Sequence, residues 1–284
     1  MTISLTTLNN TTKIYGLYFK SSLNHIEKAI LQIVAHPVID PCTGKSLEYR
    51  HLITHADPKM QRIWSFAMCK ELGRLAQVYK NNNEASNCIE FISFDNIPTD
   101  KKPTYARIVA EVREEKADPN QIRTTVGGNL IFYPYDKSLP TADITTVKLH
   151  INITIFTPGA RYACIDIKNM YLNFTMKEPE YMFIEANYIP QKFIKEYKLH
   201  DKIHNGKIIV RINKGMCHSP QVGKLAHDQL KAYLAKYGYT PCTLTPGLWK
   251  HKTRPISFAF VVDDFGVKYV GQEHLQHLLP QRCI

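Results

Sequence analysis

The stretch Ser257-Phe-Ala-Phe-Val-Val-Asp-Asp-Phe-Gly-Val-Lys-Tyr-Val270 decides how this chain reads. Ser257–Val262 is a nearly continuous apolar strand, Asp263-Asp264 breaks it, and Gly266–Val270 resumes it. Two strands with a carboxylate pair at their junction predict a hairpin that presents both acids at its tip. A second apolar strand, Arg161–Ile165, also runs into an acid, Asp166. Side by side in one sheet, the two strands would gather three carboxylates, which repel one another unless a cation sits among them. Hard oxygen donors of this kind suit Mg²⁺, with Mn²⁺ as an alternative. Two such ions ~3.5–4 Å apart can activate a hydroxyl and stabilise a leaving oxygen, which is the chemistry of nucleotidyl transfer. Composition alone expects an Asp-Asp pair about 0.5 times in a chain like this. The dipeptide by itself therefore also reads as a solvated turn, and the flanking strands are what make it informative.

The 284 residues are 44% hydrophobic and 21% charged, enough apolar material for one large domain or two lobes. No segment approaches the ~20 consecutive apolar residues of a membrane span. The first thirty residues do not form a signal-peptide pattern, so the expectation is a soluble, cytoplasmic protein without a membrane partner. Cys42, Cys69, Cys88, Cys164, Cys217, Cys242 and Cys283 are scattered with no C-x-x-C pair, which predicts buried reduced thiols rather than zinc or disulfides. His274 and His277 read as a solvated helix face. Net charge is +11, and residues 195–254 supply +9 of it, with twelve Lys and Arg against three Asp and Glu. Such a stripe suits a polyanion, and equally a solubilising surface.

Residues 1–56 are weakly patterned, with turn signals at Asp40-Pro41 and Thr43-Gly44, and read as an extension of unknown role. Asp57-Pro58 predicts a helix start, and apolar spacing carries that helix to about Tyr79, ended by Lys80-Asn81-Asn82-Asn83. Cys88–Phe94 and Tyr105–Val112 predict strands. With a turn at Lys116–Asn120, Ile122–Val126 completes a hairpin with Arg113, Lys116 and Arg123 around its turn. Thr141–Ile155 predicts a helix and Thr157-Pro158-Gly159 a sharp turn. Tyr181–Glu185 and Lys207–Ile212 predict strands, and Val222–Tyr237 a further helix. The mix is α+β.

From Asp57 onward, roughly four-fifths of its length, the chain resembles the reverse transcriptase domain of copia-type (pseudoviral) retrotransposons. Ile63-Trp-Ser-Phe-Ala-Met-Cys-Lys-Glu-Leu72 resembles the family's opening W-x-x-A-M-x-x-E helix. Tyr105-Ala-Arg-Ile-Val-Ala-Glu-Val-Arg113 with Gln121-Ile-Arg-Thr-Thr-Val126 is similar to its fingers hairpin. Asp166-Ile-Lys-Asn-Met-Tyr-Leu-Asn173 resembles the first catalytic block, and Glu180-Tyr-Met-Phe-Ile-Glu185 the strand that follows. Ile212-Asn-Lys-Gly-Met-Cys-His-Ser-Pro-Gln-Val-Gly-Lys-Leu225 resembles the K-x-L-Y-G-L-x-Q-A-x-R block. Leu248-Trp-Lys-His251 and Phe260-Val-Val-Asp-Asp-Phe-Gly-Val267 close the series like the family's V-D-D box.

The resemblance implies a right-hand polymerase fold, with fingers at about 57–140 and 175–222, palm at about 141–174 and 223–284, and the thumb mostly missing. It implies RNA-directed DNA synthesis on an RNA template and a DNA or RNA primer, from deoxynucleoside triphosphates, in the cytoplasm, a virus-like particle or the nucleus. Asp166, Asp263 and Asp264 would be the catalytic metal ligands. Tyr171 would be the aromatic gate against a 2′-hydroxyl, Gln221 would pack on the incoming nucleotide, and Arg123 and Arg113 would contact its triphosphate. Tyr171 also reads as a core aromatic, Gln221 as a helix-start polar residue and Arg113 as a solvated hairpin arginine. The chain departs from the family at Val261, where Tyr is usual, at Gln121, where a basic residue is usual, and at Cys217-His218 in place of Tyr-Gly. Only twenty residues follow Asp264, and no ribonuclease H, integrase or protease pattern is visible. The expectation is therefore a fragment or a decayed reading frame, with a non-catalytic nucleic-acid-binding remnant as the alternative to an active polymerase.

Overall fold

Helices and strands interleave along the chain, so the fold is mixed α+β. The computed structural model describes residues 3–7, 36–77, 85–114, 116–167 and 169–279. In chain order, strands β1 (Ile3–Thr7), β2 (Val38–Ile39) and β3 (Ser46–Leu47) precede helices α1 (Tyr49–Ile53) and α2 (Pro58–Leu75). Strand β4 (Ile89–Ile92), the hairpin of β5 (Thr104–Val112) and β6 (Asn120–Val126), and helix α3 (Ile144–Phe156) follow. Then come β7 (Ala160–Ile167), β8 (Thr175–Glu185), helix α4 (Gln191–Glu196), β9 (Ile203–His204) and β10 (Lys207–Lys214). Helix α5 (Val222–Ala235), strands β11 (Tyr239–Pro241), β12 (Leu248–His251), β13 (Ile256–Val261) and β14 (Asp264–Val270), and helix α6 (Gln272–Leu278) complete the order.

The chain divides into two units. One contains β1, Asp136–Met170 and Gly223–Ile284; the other contains Ile33–Tyr135 and Tyr171–Val222. The first unit is built on a six-stranded sheet in the order β1-β7-β14-β13-β12-β11, every pair antiparallel. Its core is aromatic: Trp249 stacks on Phe258 at 5.6 Å, Phe265 packs on Phe258 and Phe260, and Tyr239 and Tyr269 are buried. These residues alternate along strands of period two, so one sheet face collects them.

The second unit carries a sheet in the order β4-β10-β8-β5-β6, where the β5–β8 pair is parallel. Helix α2 packs on β6 through Trp64, Ala67, Met68, Leu72 and Leu75, a stripe at helical spacing. Asp57 caps it, accepting from the Lys59 N–H at 2.8 Å, with Pro58 in the first turn as the sequence predicts. The helix stops at Leu75, short of the expected Tyr79. The chain folds back, so that Ser86 N–H donates to Arg74 O, and Asn87 and Cys88 N–H donate to Ala76 O and Leu75 O, closing off the helix end. The expected stop at Lys80–Asn83 lies outside the described residues. Helix α1 packs on α2 with Tyr49 and Leu52 buried, and the β2–β3 turn is tied by Asp40, which accepts from Cys42 N–H and Thr43 Oγ1.

Two expectations about side chains are corrected. Of the described cysteines only Cys69 and Cys88 are buried; Cys42, Cys164 and Cys217 are exposed and Cys242 is half-buried, while Cys283 lies outside the described residues. Scattered spacing speaks against bridges but says nothing of which sheet face a thiol occupies. His274 and His277 do not form a solvated face. His277 Nδ1 is 3.1 Å from the Tyr239 hydroxyl and its ring packs on His251, while Arg254 donates to His274 Nδ1 at 3.2 Å.

Candidate functional site

The acid-tipped hairpin forms as its sequence requires. Val261 pairs with Asp264, leaving Val262 and Asp263 as a two-residue turn. Val262 has φ +58°, a left-handed conformation that a β-branched side chain adopts only under strain. Neighbours hold it there. The Val262 N–H donates to Thr141 Oγ1 at 3.2 Å, and Thr141 Oγ1 and the Ala142 N–H both donate to Phe260 O, at 3.2 and 2.8 Å. The sequence places Thr141 and Ala142 inside a helix; they instead brace the hairpin, and α3 begins only after Asp143, which caps it by accepting from Thr146 N–H at 2.6 Å. Thr141 is a positioning residue that periodicity gave no reason to single out.

Strand β7 lies beside the returning arm of the hairpin, β14, rather than beside the leading arm β13. That register sets Asp166 directly across from Asp264. Cross-strand partners project to the same sheet face, so both exposed carboxylates share one side. Asp263 is tied to the same corner: its carbonyl accepts from Ile167 N–H at 3.4 Å. Burial raises the Asp264 carboxyl above its usual range, and the charges of Asp263 and Asp166 push it the same way. Cys164, two cross-strand pairs along and opposite Gly266, has its thiol raised by partial burial and then by Asp264. On the far side of β7, β1 pairs with it and places Ser4 opposite Asp166.

Among the described residues no group of three or more His, Cys, Asp or Glu is arranged as a formed metal cluster. The donors at this corner are nevertheless carboxylate oxygens of like charge at the ends of neighbouring strands, a chemistry that fits Mg²⁺ or Mn²⁺ rather than a softer ion.

The other candidates lie in the second unit. Arg113 and Arg123 converge on one acid, Glu111. Arg113 Nη2 is 2.9 Å from Glu111 Oε2 and Nε donates to the same oxygen at 2.9 Å, while the more exposed Arg123 is 3.8 Å away. Arg113 is thus committed within the hairpin, and Arg123 is the better placed of the two to meet an anion from solvent. Gln221, just before α5, is buried and donates from Nε2 to Glu180 Oε1 at 3.0 Å. Burial raises the Glu180 carboxyl, Lys101 and Gln221 opposing it. Tyr171 is half-buried in a short 3-10 turn. A Cβ on Gly215 would lie 2.6 Å from Tyr171 O, so only glycine permits this approach. A Cβ on Gly128 would meet His218 O at 1.8 Å, which packs the end of the β5–β6 hairpin against the Cys217-His218 turn.

One residue of the opening helix block was given no role by the sequence. Glu71 on α2 is buried, accepts from Arg74 Nε at 2.8 Å and Nη2 at 3.0 Å, and accepts from Thr124 N–H at 2.8 Å. It ties the helix to the strand that carries Arg123. The helix block matches a glutamate at this position, but spacing along the helix does not show that its partners are Arg74 and the Thr124 N–H.

No family model matches the chain, and no curated protein and no solved structure matches it either. None of the described helices is long and apolar enough to cross a membrane.

Proposed function

We propose that this chain carries the fingers and palm of a right-hand, RNA-directed DNA polymerase of the retrotransposon type. The observation that carries the reading is the register of Asp264 against Asp166, with Asp263 in the adjoining turn. The ordered sequence blocks that the chain shares with copia-type reverse transcriptases support it. In this reading the ligands are an RNA template, a DNA or RNA primer and deoxynucleoside triphosphates. The primer 3′-oxygen bonds to the α-phosphorus as pyrophosphate departs. Asp166, Asp263 and Asp264 would hold Mg²⁺ or Mn²⁺, which would supply Lewis-acid stabilisation of developing negative charge on oxygen. Arg123 steadies the triphosphate, Arg113 holds Glu111, Gln221 and Tyr171 border the nucleotide, and Thr141 keeps the strained turn in place.

With a primed RNA template, deoxynucleoside triphosphates and Mg²⁺, the purified chain extends the primer, and Asp263→Ala reduces extension to background. Extension that survives the substitution would sink the assignment. A second reading, a non-catalytic nucleic-acid-binding remnant, is favoured by the hold of Glu111 on both hairpin arginines. It predicts salt-sensitive binding to primed template with no incorporation at any protein concentration.

A further inference from the structure

The second unit has a cavity of about 290 Å³ that none of the candidate site residues lines. Its floor is Phe183 and Ile209, which belong to an apolar cluster with Ile92 and Tyr181. One wall is a stacked pair, Phe94 on His204, with ring centroids 4.2 Å apart and planes 15° from parallel. Phe94 is 45% exposed. His204 covers one face of the Phe94 ring, and the rest of the side chain is in part open to solvent. The rim is polar and basic: Asn205, in the left-handed turn between β9 and β10, and Lys207, whose ammonium sits 4.0 Å above the Phe183 ring. Among the described residues the acid paired with that ammonium is Glu185, 3.8 Å away and as exposed as the lysine, a weak screened pair.

Flat aromatic walls beside a single cation match a ligand with a planar ring and an adjoining negative charge. An unpaired nucleotide has both. A base inside a duplex has its two faces already stacked and offers neither to a protein wall. The basic excess of residues 195–254, which include His204 and Lys207, favours a polyanionic strand over a neutral aromatic ligand.

We propose that this cavity is a stacking site for one unpaired base of single-stranded RNA or DNA, with Lys207 contacting the neighbouring phosphate. It rests on the proposed function only in taking nucleic acid as the ligand class, and it stands whether or not the chain catalyses transfer.

The test uses the full chain with Phe94→Trp. The native tryptophans, Trp64 and Trp249, are buried and are not among the residues that line the cavity, so quenching beyond that of the native chain reports this position. A twelve-nucleotide single strand quenches the new emission, while the same sequence as a blunt duplex and an oligoglutamate of matched charge do not. In the otherwise native chain, Phe94→Ala weakens single-strand binding roughly five- to a hundredfold by anisotropy, and Lys207→Gln lowers the salt slope by about one ion. No quenching by the single strand, equal quenching by duplex or acidic peptide, or unchanged affinity in both Phe94→Ala and Lys207→Gln overturns the proposal. Primer extension, measured separately, reports the polymerase reading alone: loss of Asp263-dependent incorporation with quenching intact overturns only that.

Discussion

Two hairpins in this chain solve opposite electrostatic problems. The β13–β14 hairpin turns in two residues and, with β7, gathers carboxylates of one sign by backbone register, at the expense of a left-handed valine. The β5–β6 hairpin closes over residues 113–119 and brings together charges of opposite sign, with Arg113 and Arg123 on Glu111. Like charges held together by strand pairing are available for a cation from outside. Opposite charges that meet within one hairpin satisfy each other, so only the outlying Arg123 remains well placed for a ligand. The first arrangement stores strain for use; the second spends its charges on its own stability.

The comparison breaks most sharply at the helix anchor of the β5–β6 hairpin. Glu71→Ala removes the carboxylate that accepts from half-buried Arg74 and from the buried Thr124 N–H. It should destabilise the chain by about 3 kcal/mol, seen as a lower urea midpoint. A loss below about 1 kcal/mol would show that the anchor is not structural.

The sheet that bears the aspartates should respond to acid through helix α3. His150 bonds Ser257 Oγ through Nε2 at 2.9 Å, and burial, with a smaller push from Lys268, lowers its pKa to about 4. The unfolded chain takes up this proton near pH 6.5, the folded chain only near 4. The contribution is therefore complete above pH 6.5 and declines as pH falls towards 4, by roughly 2–3 kcal/mol in all. His150→Gln should flatten that part of the stability profile relative to the native chain; parallel profiles would refute the assignment.

The smallest effect is expected at the strained turn itself. Val262→Gly should leave thermal stability unchanged or raise it by up to about 1 kcal/mol, while primer extension falls because the turn is no longer held to one geometry. A drop in melting temperature would mean that the valine side chain contributes more by packing than it loses by its backbone.

Much of this was legible locally. A nearly continuous apolar run, broken by Asp263-Asp264 and resumed after it, predicted the hairpin, and Asp57-Pro58 predicted the start of α2. The β5–β6 hairpin was equally plain from its β-branched arms. The end of α2 was not, because residues 86–88, ten and more positions away, supply its closing hydrogen bonds. Nor was Thr141, whose helical neighbourhood hid its bond to Val262. Tyr49 and Leu52 lie in a stretch with too little periodicity to mark them as core.

By itself the sequence determined where the acids fall relative to apolar runs, since side-chain period and turn chemistry are properties of neighbouring residues. Which carboxylate faces which was decided only by tertiary pairing. Strand order is a long-range outcome, and it was β14 rather than β13 that came to lie beside β7, setting Asp264 across from Asp166. The same holds for the charges of the β5–β6 hairpin and for Glu71, whose partners are fixed by register and packing rather than by spacing along the chain.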